Sequence, residues 1–278
     1  MAMTMSQDCA LVSRSINTLL VLCSGARLSL GNVLTLCSHR FYGQSIPFGD
    51  IEKVMADKQV RACLTIEQSL EDYKNIILSF KSNMSAHHSP AVVFGTGYSG
   101  ALATYFRIKY PDVTIGALAS SAPMFLTGTS NPRDSYCPIV SKYFEDFNRT
   151  CYQIIKDSWK KLDDIASQIE GITRLSHLFK TCRFPSSISG ARCNEIIFPV
   201  SCGSGTMLPP EEFNLTTFEI DCQSRYSVMP NLNFLETYFG NKVSNVIFFN
   251  GLRDPFSGEG ILENLSESVV VINTTKGI

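Results

Sequence analysis

The stretch AVVFGTGYSGALATYF, residues 91–106, combines an apolar strand-like run, a glycine-rich turn and a helix-like run. A strand that turns sharply into a helix can present a nucleophilic side chain at the turn, because the turn lifts that residue clear of the sheet. Ser99 is the serine of this stretch, and it lies two residues after Gly97. The stretch therefore leaves two alternatives: hydrolytic chemistry at Ser99, or a turn that keeps this shape without a nucleophile.

Serine-based hydrolysis also needs an acid and a histidine, since a serine hydroxyl without a base is a weak nucleophile. Asp254 follows the apolar run NVIFFNG and is the candidate acid, with a turn-forming Asp before Pro255 as the alternative. The chain has four histidines, none of which follows the candidate acid: His39, His87, His88 and His177. Of these, only His39 follows a predicted strand at the edge of the sheet that carries the glycine turn.

The elements that must position these residues alternate between strand and helix. Apolar runs predict strands at 32–37, 91–94, 114–123 and from 243 onwards. Thr65 as an N-cap, followed by apolar residues at helical spacing, predicts a helix over 65–80. This alternation predicts an α/β fold with a parallel sheet, in which the carboxyl ends of the strands gather the functional residues.

Composition excludes several classes of protein. The hydrophobic share of 44% and the charged share of 18% predict a packed core. A net charge of −1 without blocks of like charge gives no reason to expect nucleic acid as a partner. No apolar run approaches the ~20 residues that span a bilayer, so we expect no membrane span. No Cys/His spacing suggests zinc, and we expect neither a metal nor a cofactor.

Sequons and cysteines indicate a secretory history. Five Asn-x-Ser/Thr sequons are centred on Asn83, Asn148, Asn214, Asn264 and Asn273. Six cysteines after the glycine turn predict disulfides, with their pairing left open: Cys137, Cys151, Cys182, Cys193, Cys202 and Cys222. Residues 1–26 form a weak signal peptide because Asp8 lies in the charged region, so we expect the native leader to be missing from this sequence.

Six sequence blocks, in order along the chain, resemble serine peptidases of the prolyl carboxypeptidase and dipeptidyl peptidase II family: SHRFYGQSIPFG, LTIEQSLEDY, VVFGTGYSGALATYFRIKYPD, IGALASSAPM, CYQIIKDSWKKLD and NGLRDPFSGEG. The resemblance covers most of residues 31–277, and plant-like members are the most similar. It implies an α/β-hydrolase fold with a helical cap, in a lysosomal, vacuolar or secreted glycoprotein. It also implies exopeptidase activity next to proline, with proline-containing peptides as partners and a homodimer as an open expectation.

The resemblance assigns the nucleophile position to Gly97. Family members carry a serine preceded by two glycines and followed by Tyr-Gly-Gly, and Gly97 takes the place of that serine in an ungapped alignment. Glycine has no side chain with which to attack. A frame shifted by two residues makes Ser99 the alternative nucleophile, although that residue then falls in the first helical turn, where a serine caps a free backbone N–H.

Three further residues are expected to line the site: Tyr98, His39 and Arg40. Tyr98 matches the tyrosine that follows the family's serine, and we interpret His39 and Arg40 as residues that organise the loop beside the site. The resemblance places the catalytic histidine just beyond Ile278, the last residue of this sequence. Asp254 matches the family's acid.

These expectations divide the chain into four segments. Residues 1–30 are an atypical N-terminal segment, and residues 31–134 are the first part of an α/β-hydrolase core. Residues 135–192 are a helical cap insertion, and residues 193–278 return to the core and end before the expected histidine. We expect the cap to be shortened and the fold incomplete, because the family has a longer stretch between Cys182 and Cys193.

The sequence thus predicts a serine-type exopeptidase by family whose own catalysis is impaired. The impairment follows from Gly97 at the nucleophile position and from the lack of a histidine after Asp254. Two alternatives stay open. One is a non-catalytic relative that binds peptides or a partner through the cleft that corresponds to the family's active site. The other is a truncated product without function.

Overall fold

The computed structural model of the chain describes residues 18–23, 33–41, 46–49, 54, 57–124, 135–180, 200–230 and 243–277. The described residues form a six-stranded sheet in the order β2-β1-β3-β4-β5-β6. Its strands are β1 (Thr18–Cys23), β2 (Val33–Ser38), β3 (Ala91–Thr96), β4 (Gly116–Ser120), β5 (Val246–Gly251) and β6 (Val269–Thr274).

Strands β3 to β6 are parallel, which confirms the α/β class and the parallel sheet predicted from the alternation of elements. Strand β1 lies between β2 and β3 and is antiparallel to both, so β2 runs in the same direction as β3. The sheet therefore includes part of residues 1–30, which the sequence reading set apart from the core. The apolar run TLLVLC makes this possible, because it pairs with apolar residues on both sides, as in Leu22 with Leu34 and Val92.

Seven helices and one 3₁₀ turn surround the sheet in the described part of the chain. The helices are α1 (Lys58–Arg61), α2 (Ile66–Asn83), α3 (Tyr98–Lys109), α4 (Tyr136–Phe147), α5 (Arg149–Ala166), α6 (Gly171–Phe179) and α7 (Leu215–Tyr226), and the 3₁₀ turn is Pro255–Glu259. None of these helices is both long enough and apolar enough to cross a bilayer. The order of elements places α4 to α7 between β4 and β5.

Helix α2 begins where the sequence predicts. The Thr65 hydroxyl accepts the Gln68 N–H, which satisfies one of the free donors at the helix start. Leu70, Tyr73 and Ile77 recur at helical spacing and are fully or almost fully buried. This apolar stripe packs α2 into the main core, whereas the opposite face of the helix is exposed.

Helix α3 is buried on nearly every side. Its interior residues Ala101, Leu102 and Phe106 have no exposed surface, and they belong to the same core as Val93 of β3 and Ala119 of β4. A helix that is buried all round needs small or apolar residues on every face. The alanine-rich sequence of α3 meets that requirement, so the helix start is held rigidly against the ends of β3 and β4.

The predicted helical region after residue 135 contains α4, α5 and α6, and residues 181–192 of the expected insertion lie outside the described residues. These helices are tied to the loop that follows them in the sequence. A disulfide joins Cys137 to Cys202, the Met207 N–H donates to Ser141 Oγ at 2.8 Å, and Trp159 Nε1–H donates to the Met207 carbonyl at 3.0 Å. Loop 202–207 is thus fixed to both α4 and α5.

The cysteines follow the prediction only in part. Cys137 and Cys202 are paired, and Cys222 is also disulfide-bonded. Cys151 differs from the prediction, since its thiol is free and lies exposed in the first turn of α5. The predicted cysteines Cys182 and Cys193 lie outside the described residues.

We predict that Arg107→Met lowers the free energy of unfolding by about 2–4 kcal/mol, because buried acceptors then lose their donors. The nearly buried Arg107 donates to the carbonyls of Pro111, Thr114 and Ser244 and so joins α3 to two loops. Urea denaturation measures the loss. Lys109→Met, on the same helix, is the control and should cost less than about 1 kcal/mol. If Arg107→Met lowered the free energy of unfolding no more than Lys109→Met does, the proposed role of Arg107 in joining α3 to the two loops would be wrong.

Candidate active site

The strand ends bring the predicted site residues to one edge of the sheet. His39 follows β2, Gly97 follows β3 and Asp254 comes three residues after β5. These three strands run in the same direction, so their carboxyl ends lie at the same edge. Functional residues of open α/β sheets collect at this edge.

The turn between β3 and α3 has its apex at Gly97. The backbone of Gly97 has φ 58° and ψ −128°, a conformation that residues with side chains adopt only under strain. Its N–H donates to the Ser120 carbonyl at the end of β4 at 2.8 Å. Its carbonyl accepts from Gly100 N–H and Ala101 N–H in the first turn of α3. The apex is therefore fixed by backbone bonds alone.

The flanking glycines allow the strand and the helix to approach each other. A Cβ at Gly95 would lie 2.3 Å from backbone atoms of Ser99, which no real side chain tolerates. A Cβ at Gly100 would lie 3.0 Å from Ala122 Cβ. By contrast, a Cβ at Gly97 would meet no atom within 4 Å. The turn is thus crowded behind the apex and open in front of it.

Ser99, the alternative nucleophile, lies inside this turn. Its hydroxyl donates to the Thr96 carbonyl at 2.9 Å and accepts the Thr96 N–H at 3.1 Å. The residue is 1% exposed, so its oxygen faces the backbone of the turn and not the solvent. These contacts close the turn in the manner of a local side-chain-to-backbone bond.

Asp254, the candidate acid, is 8% exposed and begins the 3₁₀ turn. Its Oδ1 accepts the Phe256 N–H at 3.0 Å, the contact expected of a turn-forming Asp before proline. No described residue donates a hydrogen bond to Oδ2. Asp254 therefore uses Oδ1 to form the turn, while Oδ2 accepts no hydrogen bond from the described residues.

The start of α4 packs onto the same 3₁₀ turn. Ser135 Oγ donates to Glu259 Oε1 at 3.1 Å, and the rings of Tyr136 and Phe256 meet edge to face at 5.4 Å. A Cβ at Gly258 would lie 2.4 Å from Ser135 Cβ, so glycine permits this contact. The helical region between β4 and β5 is thereby anchored beside Asp254. Sequence reasoning missed the buried Glu259, which no motif distinguishes.

His39 is fully buried between β2 and α2. Its Nδ1 lies 2.7 Å from the Arg40 carbonyl, which can only accept, so Nδ1 carries the proton. Its Nε2 then accepts from Ser69 Oγ at 2.7 Å, with the Tyr98 hydroxyl at 3.5 Å. The imidazole thus joins the loop after β2 to α2 and to the first residue of α3. Ser69 was not identified from the sequence, because its contact spans 30 residues.

Burial makes His39 a weak base. Desolvation lowers the pKa of His39 to about 4, and the bond to the Arg40 carbonyl opposes this shift only in part. An efficient general base has a pKa near the operating pH. His39 is therefore neutral at pH 7 and poorly suited to take a proton from a nucleophile.

Arg40 and Tyr98 hold the surroundings of the edge in place. The Arg40 guanidinium forms a two-bond ion pair with Asp72 of α2 at 2.6 and 2.7 Å, and it also donates to Gln68 Oε1. Tyr98 is buried at the start of α3. Both residues attach neighbouring elements to α2, Arg40 directly and Tyr98 through the His39 ring.

The other histidines lie elsewhere. His87 and His88 precede β3 and so lie at its amino end, and His177 is exposed on α6. Among the described residues, no group of three or more His, Cys, Asp or Glu side chains is arranged to hold a metal. The functional groups at this edge of the sheet are therefore the backbone of the turn at Gly97, the carboxylate of Asp254 and several hydrogen-bonding polar side chains.

Comparison with known proteins identifies the class that this fold and edge define. The sequence profile of the serine carboxypeptidase S28 family matches residues 22–187, and the chain belongs to that family. The lysosomal Pro-X carboxypeptidase of Mus musculus is 24% identical over 341 positions, which cover 88% of this chain and 69% of that protein. The S28 assignment confirms the predicted resemblance.

Two shorter matches have higher identity. Prolyl carboxy peptidase like protein 5 of Caenorhabditis elegans is 37% identical over 51% of this chain and 28% of its own length. Probable serine protease EDA2 of Arabidopsis thaliana is 41% identical over 30% of this chain and 18% of its own length. In the match to the mouse protein, 88% of this 278-residue chain is spread over 341 positions, so roughly a hundred positions face gaps in this chain.

We predict opposite sensitivities for the two glycines of the turn. Gly95→Ala should destabilise the fold severely, because its methyl group overlaps the Ser99 backbone. Gly97→Ala has open space and should cost only the backbone strain, about 1–3 kcal/mol. Thermal unfolding of both variants measures the difference. A Gly95→Ala variant as stable as Gly97→Ala would contradict the crowded turn.

We predict that His39 makes stability depend on pH between about 6.5 and 4. In this window the unfolded chain binds a proton at His39 and the folded chain does not, so stability is present above pH 6.5 and is lost as pH falls to 4. The loss from this group is about 3 kcal/mol.

Urea denaturation at several pH values tests this prediction. His39→Gln should remove this part of the pH dependence, while the control His177→Gln, at an exposed site, should retain it. The idea fails if the pH profiles of wild type and His39→Gln run parallel across the window.

Proposed function

We propose that this chain is a member of the serine carboxypeptidase S28 family that binds proline-containing peptides without hydrolysing them. The observation that carries the proposal is the apex of the turn at Gly97. The backbone keeps the sharp conformation of a nucleophile-bearing turn and leaves open space in front of it, yet no hydroxyl is present there.

The alternative nucleophile supports the same conclusion. The Ser99 hydroxyl is buried and bonds to both backbone groups of Thr96, so attack from Ser99 would require the turn to open. The histidine nearest the turn, His39, is neutral and bonded to Ser69 and Arg40. A serine without a suitable base is a weak nucleophile.

Retention of binding is supported by the parts of the edge that remain. In this design the backbone N–H of the residue after the nucleophile position helps to bind the substrate carbonyl, and in this chain that residue is Tyr98. Asp254, the residue assigned as the triad acid, lies at the same edge of the sheet as Gly97. We propose that α4 to α6 form a shortened cap over this edge, since α4 packs onto the turn that Asp254 begins.

Proline preference and location are part of the proposal. The relatives named Pro-X and prolyl carboxypeptidase support a proline-containing peptide as the ligand. The lysosomal relative, the five sequons and the Cys137–Cys202 disulfide support a lysosomal, vacuolar or secreted glycoprotein. A homodimer stays an expectation of the sequence reading.

Labelling with a fluorophosphonate probe tests the loss of catalysis. We expect no labelling of the unmodified chain and no cleavage of a proline-containing peptide, since loss of the nucleophile in a triad enzyme costs about 10⁶-fold in kcat. An active serine carboxypeptidase is the positive control. Gly97→Ser should restore a hydroxyl without labelling in this chain, because none of its four histidines is placed to act as the base.

The matched variant for the alternative frame is Ser99→Ala. Labelling of the unmodified chain that disappears in Ser99→Ala would overturn the proposal and establish the shifted nucleophile. Labelling of Gly97→Ser alone would show that a base is present and that the single glycine caused the loss.

A further inference from the structure

A cavity of about 710 Å³ lies between the start of α4 and the exit of β5. One wall is α4, from Pro138 to Asp146, and a second is the glycine-rich loop 203–206. Leu252 and Arg253, which immediately precede Asp254, form the side that belongs to the sheet. The volume falls within the range of sites for small ligands and suits a short peptide.

The walls of this cavity are held in place before any ligand binds. The Cys137–Cys202 disulfide joins the start of α4 to the loop, and Met207 N–H donates to Ser141 Oγ from the other end of that loop. The backbone on the sheet side is bonded to the chain after β6, since Arg253 N–H donates to the Gly277 carbonyl at 3.1 Å. A preformed site loses less conformational entropy when a ligand binds.

Two cationic side chains line this cavity, and Arg253 is the one that has no anionic partner among the described residues. Its guanidinium lies over the Tyr143 ring, 5.9 Å from the ring centroid, and no described residue accepts a hydrogen bond from it. Lys142, the other cation of the lining, forms an ion pair with Asp146. Glu145 also lines the cavity, and its charge acts on the same Lys142. Guanidinium N–H groups match the two oxygens of a carboxylate, and an aromatic ring supplies no such acceptor.

We propose that this cavity binds the C-terminal end of a peptide, with Arg253 as the ligand of its terminal carboxylate. The inference rests on the proposed function and names the peptide end that the site recognises. Arg253 is adjacent to Asp254 in the chain, so a carboxylate held by Arg253 lies beside the residue assigned as the triad acid. The arrangement favours recognition of a free C-terminus over recognition of a free N-terminus.

The probe for this proposal is the tripeptide Gly-Pro-Phe with a fluorophore on its amine, prepared as the free acid and as the C-terminal amide. Fluorescence anisotropy with the full chain measures the two dissociation constants. We expect the acid to bind about tenfold more tightly than the amide, since the amide loses one charge-assisted pair. The blocked amine excludes recognition of the N-terminus.

Arg253→Gln should abolish the preference for the acid and change the thermal unfolding midpoint little, because Arg253 is exposed and its guanidinium contacts only the Tyr143 ring. Lys142→Gln is the matched cation control and should keep the preference, as should Glu145→Gln. Arg253→Lys should retain part of it, because an ammonium keeps the charge but not the two-pronged geometry.

Three outcomes would overturn the inference. Equal affinity for acid and amide excludes carboxylate recognition while leaving peptide binding intact. A preference that survives in Arg253→Gln assigns the carboxylate to another residue. Failure of the chain to bind either peptide removes the proposed function together with the inference.

Discussion

The close approach of β3 to the first turn of α3 is the constraint on which the edge of this sheet depends. Gly95 has no room for a Cβ against the Ser99 backbone, and Gly100 lies against Ala122. Glycine at both positions permits a sharp turn between them, and Gly97 takes the strained position at its apex. Because packing and backbone bonds hold the apex, its shape does not require a side chain at Gly97.

A set of buried polar contacts aligns the neighbouring elements with that turn. The neutral imidazole of His39 accepts from Ser69 on α2 and lies within reach of the Tyr98 hydroxyl on α3. Arg40 adds an ion pair with Asp72 on the same helix. These bonds are satisfied within the protein, so they stabilise a fixed geometry and leave the imidazole with little capacity for proton transfer at neutral pH. The same residue types that could perform catalysis thus serve here to position elements.

The helical region between β4 and β5 is fixed to its neighbours through contacts at the start of α4. The Cys137–Cys202 disulfide fixes it to the loop that follows, and Ser135 and Tyr136 fix it to the turn after Asp254. In the outer helices α5 and α6 only Gly171 is fully buried, and the other residues are half-buried or exposed.

The sequence by itself determined the types of the main elements, the position of the turn and the absence of a side chain at Gly97. Local periodicity, capping at Thr65 and glycine spacing act between residues that are close in the chain, so they can be read directly. The same information placed Asp254 beyond a strand, but it did not distinguish a turn former from an acid.

The tertiary structure alone decided the remaining features. These include the position of β1 inside the sheet, the partner of His39 30 residues away, and the meeting of Arg253 with Tyr143 across 110 residues. Each depends on which distant segments pack together. Such contacts leave no periodic signal in a single sequence, because they are fixed by the register of the sheet and by the packing of the helices against it.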